Sequence, residues 1–157
     1  MCSSDLADLR RLVADLRGHY DYWDTGSRAS LRELLVNEGA AVAAAQAVAP
    51  GLEPWEYFGY TRRQYRRIRE LDAFLRRVSA PVLDQSGLGL RLRFLSGGMT
   101  PAARLMGGKV LPERAGYYLG FRLVENYLAE RGIASTLRAA AQEFRKADDR
   151  ALGIQTA

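Results

Sequence analysis

Pro112-Glu-Arg-Ala-Gly-Tyr-Tyr-Leu-Gly-Phe-Arg-Leu-Val-Glu-Asn-Tyr-Leu128 decides the fold, because this stretch predicts a long helix that carries two glycines in its first turns. Each glycine costs roughly 1 kcal/mol relative to alanine inside a helix. Their four-residue spacing places Gly116 and Gly120 on one face, next to Tyr117 and Tyr118. Something must therefore come close to that face, either a neighbouring helix or a ligand admitted between the two tyrosine hydroxyls.

The composition is that of one ordinary domain. The chain has 157 residues, 48% of them apolar, which is enough for a single core. Its net charge of +5 comes from 21 arginines and only two lysines, a bias typical of GC-rich bacterial genomes, so the charge says little about partners. The single cysteine excludes an internal disulfide and a cysteine metal cluster. The sequence has no apolar run long enough to predict a membrane span. It does not identify a compartment, so the cytoplasm is the default expectation.

The first six residues have the pattern expected of a sequencing artefact. Met1-Cys-Ser-Ser-Asp-Leu6 resembles the translation of a widely used sequencing adapter, so residues 1–6 are expected to be an artificial start on a truncated reading frame. An upstream leader would then be lost as well. The expected organisation is a single helical domain over residues 7–150, followed by a tail over residues 151–157.

Hydrophobic periodicity and helix caps predict an all-α fold of about five helices around an irregular glycine-rich segment. Two of the helices begin at capping boxes, Ser30 with Glu33 and Thr61 with Gln64. The predicted helices run over residues 5–16, 30–48, 61–78, 112–130 and 135–147. The first has an apolar stripe formed by Leu6, Leu9, Leu12, Val13 and Leu16.

The remaining breaks in the pattern are made by glycine and proline. Pro112 is expected at the start of the long helix and Gly132 at its end. Residues 84–111 are predicted to be loop with short helical turns, and within them residues 88–95 fit a short strand or an extended loop.

A carboxylate interrupts the apolar stripe of the second helix. Glu38 lies among the stripe residues Leu31, Leu34, Leu35, Val42 and Ala45. Burying an ionised carboxylate without a partner is costly, so its neighbours should include a cation, a hydrogen-bond network or a metal. The alternative is that this part of the stripe borders solvent and the Glu38 carboxylate is hydrated. Gly39 and the many alanines that follow let another helix approach closely.

These features together resemble a known family. Glu38-Gly39-Ala40-Ala41, the aromatic and proline loop, the arginine-rich helix and the Gly116 helix are similar to the bacterial predicted zinc-dependent proteases described by a domain of unknown function. The similarity covers roughly residues 31–140. Members carry a His-Glu-x-x-His helix, then a helix with Glu-Gly-x-Ala, and later a Gly-Tyr-x-x-Gly-Tyr-like helix. The resemblance implies a gluzincin-like metallopeptidase, in which zinc-activated water cleaves a peptide or protein substrate.

The resemblance also implies residue roles. Glu38 matches the third zinc ligand of the family, and Tyr117 and Tyr118 match its later motif, where one of them stabilises an oxyanion or holds substrate. Arg122, on the same helix, is assigned to substrate binding. The competing interpretation of both tyrosines is that they are core aromatics with satisfied hydroxyls. Phe121 stands where the family often has a tyrosine, so this position cannot donate a hydrogen bond.

The chain departs from the family at the metal motif. It contains no His-Glu-x-x-His, and its only histidine, His19, is predicted to be a loop residue rather than a ligand. We expect the chain to be the C-terminal part of a zinc-dependent peptidase that, by itself, neither binds zinc stoichiometrically nor cleaves peptides. The alternative is a non-catalytic helical binding protein of the same fold, in which Ala7-Asp-Leu-Arg-Arg11 is a degenerate remnant of the motif.

The arginine-rich helix suggests a third, weaker hypothesis. Its cations could contact the phosphates of a nucleic acid, but such a run is usually a solvated face, and Glu70 and Asp72 interrupt it. The sequence contains no phosphate-binding loop and no zinc-finger spacing. No nucleic-acid partner is therefore expected, and the oligomeric state is left open.

Overall fold

The computed structural model describes residues 3–17 and 28–145, and this part of the chain is predominantly helical. The predicted all-α class is confirmed. Within the described residues there are six α-helices rather than about five: the third predicted helix is divided, α5 forms where no helix was predicted, and the predicted final helix is not a separate α-helix. The helices are α1 (Ser3–Arg17), α2 (Leu31–Val48), α3 (Arg62–Glu70), α4 (Asp72–Ser79), α5 (Leu88–Leu95) and α6 (Ala115–Arg138).

The contact between α2 and α6 is the centre of the fold. Gly39 on α2 faces Gly120 on α6, and Leu35, one turn earlier, faces Gly116, so the two helices run in the same direction across the contact. A Cβ atom on Gly120 would overlap the Leu35 carbonyl oxygen and lie 2.9 Å from the Gly39 amide nitrogen. The predicted close approach is confirmed, and a neighbouring helix is what comes close to the glycine face.

The helix α1 forms where the sequence predicts it, but it packs through a different face. Residues at helical spacing line its buried face: Leu6, Arg10, Val13 and Arg17. The prediction that Leu12 and Leu16 belong to the buried stripe is wrong, since they are 58% and 60% exposed. Burying a leucine side chain contributes about 1.5–3 kcal/mol, so another gain must favour the observed face. Both arginines of that face find buried partners, the Glu38 carboxylate and the Thr136 carbonyl oxygen.

The third predicted helix is two helices. Its start is confirmed, because the Thr61 hydroxyl accepts from the Gln64 amide and the Gln64 side chain accepts from the Thr61 amide. Leu71 then leaves the helical conformation, with φ −98° and ψ 5°, and α4 begins at Asp72. The prediction of one continuous helix is wrong. The break places Asp72 at a helix start, where its carboxylate contacts α6.

Residues 84–111 contain more regular structure than predicted. Residues 88–95, predicted as a short strand or extended loop, form the helix α5, whose Phe94 is fully buried against α6. Packing thus overrides a weak local pattern. A two-stranded hairpin follows, β1 (Leu105–Met106) and β2 (Lys109–Val110), joined by Gly107 and Gly108. Both glycines have positive φ angles, as a two-residue hairpin turn requires.

The long helix α6 differs from the prediction at its ends. It begins at Ala115, three residues after Pro112, with Arg114 in the left-handed conformation at the N-cap. Gly132, predicted as its end, leaves the helical conformation with φ 76° and ψ 173°, so the break falls where the sequence predicts it, and a short second helical segment follows as far as Arg138. The predicted final helix over residues 135–147 is wrong as a single helix, because residues 135–138 belong to α6 and a 3₁₀ turn lies at Ala141–Phe144.

Several predictions fall on residues that the structure does not describe. His19 and the loop around it, the end of the final helix at Ala147 and the tail over residues 151–157 lie outside the described residues. Among the helices of the described part, none combines the length and the apolar character needed to cross a membrane.

Candidate functional site

The candidate site is centred on the Glu38 carboxylate, which α2 carries into its contact with α1. Glu38 is 5% exposed, and Arg10 Nε of α1 donates to its Oε2 atom across 2.7 Å. Both side chains are buried, so the ion pair is shielded from bulk water. The sequence left a wet carboxylate and a partnered one as alternatives. The structure confirms the partnered one, and the partner is a cation.

The surroundings of Glu38 are positively charged. Burial raises the pKa of the Glu38 carboxyl above its ordinary value, while the charge and the hydrogen bond of Arg10 oppose that rise. The charge of Arg91, on α5, also lowers this pKa. Two arginines thus act on one carboxylate, and Arg10 is the one in direct contact.

Tyr117 lies beside this ion pair. The central carbon of the Arg10 guanidinium is 4.3 Å from the centre of the Tyr117 ring, which makes a cation–π contact. The Tyr117 ring also stacks with Tyr60, with a centroid distance of 6.4 Å and an interplanar angle of 12°. Of the two tyrosines that the sequence singled out, Tyr117 is therefore the one in contact with the Arg10–Glu38 pair.

Tyr60 fixes the start of α6 next to the site. Its hydroxyl donates to the Arg114 carbonyl oxygen across 2.6 Å and accepts from the Tyr118 amide across 3.2 Å. Burial raises the pKa of Tyr60, so the hydroxyl stays protonated and can donate at any ordinary pH. This bond holds Arg114, which has the strained φ of 56°, at the N-cap that orients the two tyrosines of α6.

The Tyr118 hydroxyl contacts a different carboxylate. It donates to Asp72 Oδ1 across 3.1 Å, and Arg122 Nε lies 3.3 Å from the same oxygen. Burial and the Asp72 charge raise the pKa of Tyr118 to about 12, so this hydroxyl is protonated at neutral pH. Arg122 also forms an ion pair with Glu125. The structure therefore brings Tyr118 and Arg122 together at Asp72, and Tyr117 to the Arg10–Glu38 pair.

The structure also tests the register of the proposed motif remnant. Ala7, Asp8 and Arg11, which would occupy the histidine and general-base positions, are all exposed, whereas Arg10 faces Glu38. The three residues that would match the metal motif therefore do not face Glu38, the candidate metal ligand.

Sequence reasoning missed three residues of the site: Arg10, Tyr60 and Asp72. Arg10 could have been found, because it lies four residues after Leu6 and three before Val13, on the stripe that is buried. Its position there is the same kind of signal that singled out Glu38. Tyr60 and Asp72 belong to no comparable pattern, since their partners are distant in the sequence.

The described residues do not fit a zinc ion. Zinc needs three or more nitrogen, sulfur or oxygen ligands that converge on one point. No three His, Cys, Asp or Glu side chains do so in the described part of the chain, and Cys2 and His19 lie outside it. The position facing Glu38 is held by a guanidinium, which has no lone pair to offer a metal.

Comparison with known proteins agrees with the resemblance that the sequence suggested. Comparison with curated proteins and with solved structures finds no match. Residues 16–146, more than four-fifths of the chain, match the family described as predicted Zn-dependent protease (DUF2268). Glu38, Tyr117, Tyr118 and Arg122 lie inside the matched stretch, and Arg10 lies before it. The chain therefore belongs to this family of predicted Zn-dependent proteases.

Proposed function

We propose that the chain is the C-terminal part of a zinc-dependent peptidase and that Glu38 is the carboxylate ligand of its metal in the intact protein. The two histidine ligands and the general base would come from sequence upstream of residue 7, and the substrate would be a peptide or protein. By itself the chain neither holds zinc stoichiometrically nor cleaves peptides. The observation that carries the proposal is a buried carboxylate with a cation against it, in a chain of this family.

The energetics of Glu38 support a functional role. A leucine or glutamine on the buried face of α2 would avoid the cost of removing a carboxylate from water. The chain instead keeps the carboxylate and places Arg10 on it, with α6 held close by the contact between Gly39 and Gly120. A rigid helix that presents a buried carboxylate beside a tyrosine has the form expected of one wall of a metallopeptidase cleft.

The contacts of the tyrosines distinguish their proposed roles. Tyr117 touches the Arg10 guanidinium and is only partly buried, so its phenol is suited to meet a substrate at the site. Tyr118 and Arg122 are engaged by Asp72. We therefore assign the substrate-side role to Tyr117, and to Tyr118 and Arg122 the role of holding α6 against α4.

The experiment compares this chain with a longer form that includes the upstream coding sequence. Zinc content per chain and hydrolysis of an unfolded protein substrate are measured for both. We expect zinc and chelator-sensitive hydrolysis only in the longer form, and loss of both on Glu38→Gln. Stoichiometric zinc with peptidase activity in residues 1–157 would overturn the proposal. So would a longer form whose zinc content does not depend on Glu38.

The nucleotides that encode residues 2–6 test the truncation directly. Adapter sequence at this junction, with an upstream frame that encodes metal ligands, is the expected result. A genuine start codon preceded by a ribosome-binding site would contradict the truncation.

A further inference from the structure

The counter-cation of Glu38 in this chain is one of the chain's own side chains. Arg10 Nε is 2.7 Å from Glu38 Oε2, and both side chains are buried. The rest of the guanidinium lies over the Tyr117 ring, 4.3 Å from its centre. The described residues thus fill the space in front of the carboxylate with a bound cation rather than leave it open for a metal.

The orientation of α1 brings this pair together. The buried face of α1 contains Leu6 and Arg10, whereas Leu12 and Leu16 face solvent. Apolar burial alone would favour a face that includes the two exposed leucines. The face that packs against α2 instead carries Val13 together with Arg10, and from it Arg10 reaches Glu38.

We propose that Arg10 replaces the metal as the counter-cation of Glu38, so that the chain folds without a metal and Glu38 is closed to one while α1 is docked. That Glu38 is a metal ligand at all rests on the proposed function. The pairing of Arg10 with Glu38 and its effect on folding do not.

The chemistry of arginine suits this role. A guanidinium keeps its charge at every ordinary pH and is weakly hydrated, so it is the cation that loses least on burial beside a carboxylate. It offers no lone pair, and its charge would repel an approaching divalent ion, with Arg91 adding to this repulsion. A metal could reach Glu38 only by displacing Arg10, which would require α1 to shift.

The first test measures the coupling between the two charges. Unfolding midpoints are measured for the full chain with chelator present, for Arg10→Met, Glu38→Gln, the double variant and the control Arg11→Met. Removing one partner of a buried pair strands the other charge, so each single variant should unfold about 10 °C lower. The double variant should recover most of that loss, because no charge is left unpaired.

The control for this test is Arg11, an exposed arginine of the same helix. Arg11 lies next to Arg10 on the exposed face of α1 and forms a 4.0 Å ion pair with Asp8, so its replacement should leave the midpoint nearly unchanged. Small effects of the single variants, or single effects that simply add in the double variant, would overturn the proposal.

The second test asks whether Arg10 occupies the position of a metal ligand. Leu6 and Arg10 are four residues apart on the buried face of α1, so Leu6→His with Arg10→His places two imidazoles on the face from which Arg10 reaches Glu38. This variant should take up one zinc per chain and unfold at a higher temperature when zinc is added. The added substitution Glu38→Gln should abolish both effects.

The matched control uses the opposite face of the same helix. Ala7→His with Arg11→His introduces the same pair at the same spacing, but on the exposed face. Any zinc it takes up should not depend on Glu38. If Glu38→Gln leaves zinc uptake by the buried-face variant unchanged, Arg10 is not in the metal position and the proposal fails.

Either test can decide the proposal if the other fails, and their results distinguish this inference from the proposed function. If the buried-face histidine variant does not fold, the coupling of Arg10 and Glu38 still decides the proposal. A longer form that lacks zinc would contradict the proposed function and leave the measured coupling intact. Conversely, the longer form could bind zinc through Glu38 although the two charges of this chain show no coupling.

Discussion

Gly39 and Gly120 face each other where α2 meets α6, and neither position has room for a Cβ atom. A Cβ on Gly39 would overlap the Gly120 carbonyl oxygen and lie 2.8 Å from the Phe121 amide nitrogen. These obstacles are backbone atoms, which cannot move without shifting a helix. The close approach of the two helices therefore depends on glycine at both positions.

Replacing either glycine by alanine should destabilise the chain strongly. Gly120→Ala and Gly39→Ala should each lower the free energy of unfolding by about 3 kcal/mol or more, because the helices must separate along their main contact. Chemical denaturation followed by far-UV circular dichroism gives the measurement.

The control for this prediction is another helical glycine, in an open position. A Cβ atom on Gly89 of α5 would meet no atom within 4 Å, and the φ angle of this glycine is not positive. Gly89→Ala should therefore be neutral or stabilising by about 0.5–1 kcal/mol, since alanine favours the helix. Equal losses at Gly89 and Gly120 would show that the loss does not come from the helix contact.

The sequence predicted that a neighbour must approach the two glycines of α6 and that Glu38 needs a counter-charge. It did not identify the neighbouring helix or the cation. The spacing of Gly116 and Gly120 indicated a close approach, and the stripe around Glu38 indicated a counter-charge. Which helix approaches, and which cation pairs, depends on the docking of distant segments. On α1 the spacing of Leu6 and Val13 placed Arg10 on one candidate face, but Leu12 and Leu16 indicated another, and only the docked structure shows which face is buried.

Local patterns failed where packing decides the structure. Residues 88–95, flanked by glycines, have weak helical periodicity, yet the segment is helical because Phe94 is buried against α6. The break at Leu71 has no glycine or proline to announce it. The capping box at Thr61, by contrast, was predictable, since its two hydrogen bonds lie within four residues of sequence. Of the box predicted at Ser30, the structure shows the bond from the Glu33 amide to the Ser30 hydroxyl.

Tyr60→Phe should destabilise the start of α6. The Tyr60 hydroxyl accepts from the Tyr118 amide and donates to the Arg114 carbonyl oxygen, and phenylalanine would leave the buried amide without its partner. The expected loss is about 1–3 kcal/mol in the free energy of unfolding. Amide hydrogen exchange should also become faster in the first turn of α6.

Tyr65→Phe is the matched control for that change. Tyr65 belongs to the same aromatic cluster, stacked on Phe58, but its hydroxyl makes no hydrogen bond with the described residues. Its replacement should change the free energy of unfolding by less than about 0.5 kcal/mol. If both variants lose the same amount, the hydrogen bonds of Tyr60 are not the cause.

Asp84 should give the chain part of its stability at neutral pH. The hydrogen bond from Arg32, and then the charges of Arg32 and Arg145, hold the pKa of Asp84 below its ordinary value. Because the folded pKa is the lower one, this contribution is present above the unfolded pKa and is lost as pH falls through the folded pKa. The side chain is 54% exposed, so the contribution should be about 1 kcal/mol or less.

The variant Asp84→Asn isolates this contribution. It should be less stable than the original chain near neutral pH, and the difference should shrink as pH falls below about 4, where the unfolded carboxyl also becomes protonated. Asp8→Asn, at an exposed and loosely paired position, should show no such trend. A difference that stays constant down to acid pH would mean that the charge of Asp84 is not involved.

If the longer form binds zinc as we propose, variants of Tyr117 and Tyr118 should have different effects on its catalysis and its stability. Tyr117 contacts the Arg10–Glu38 pair, whereas the Tyr118 hydroxyl donates to Asp72, so Tyr117 is the tyrosine that lies beside the proposed metal ligand. Removing such a donor typically lowers kcat by about 100-fold or more. Tyr117→Phe, which keeps the ring beside the Arg10 guanidinium, should therefore lower kcat by about that factor. Tyr118→Phe should lower the unfolding midpoint at nearly unchanged kcat, because it loses a hydrogen bond to a carboxylate and nothing at the reacting centre. The opposite pattern would return the substrate-side role to Tyr118 and would require its hydroxyl to leave Asp72 when substrate binds.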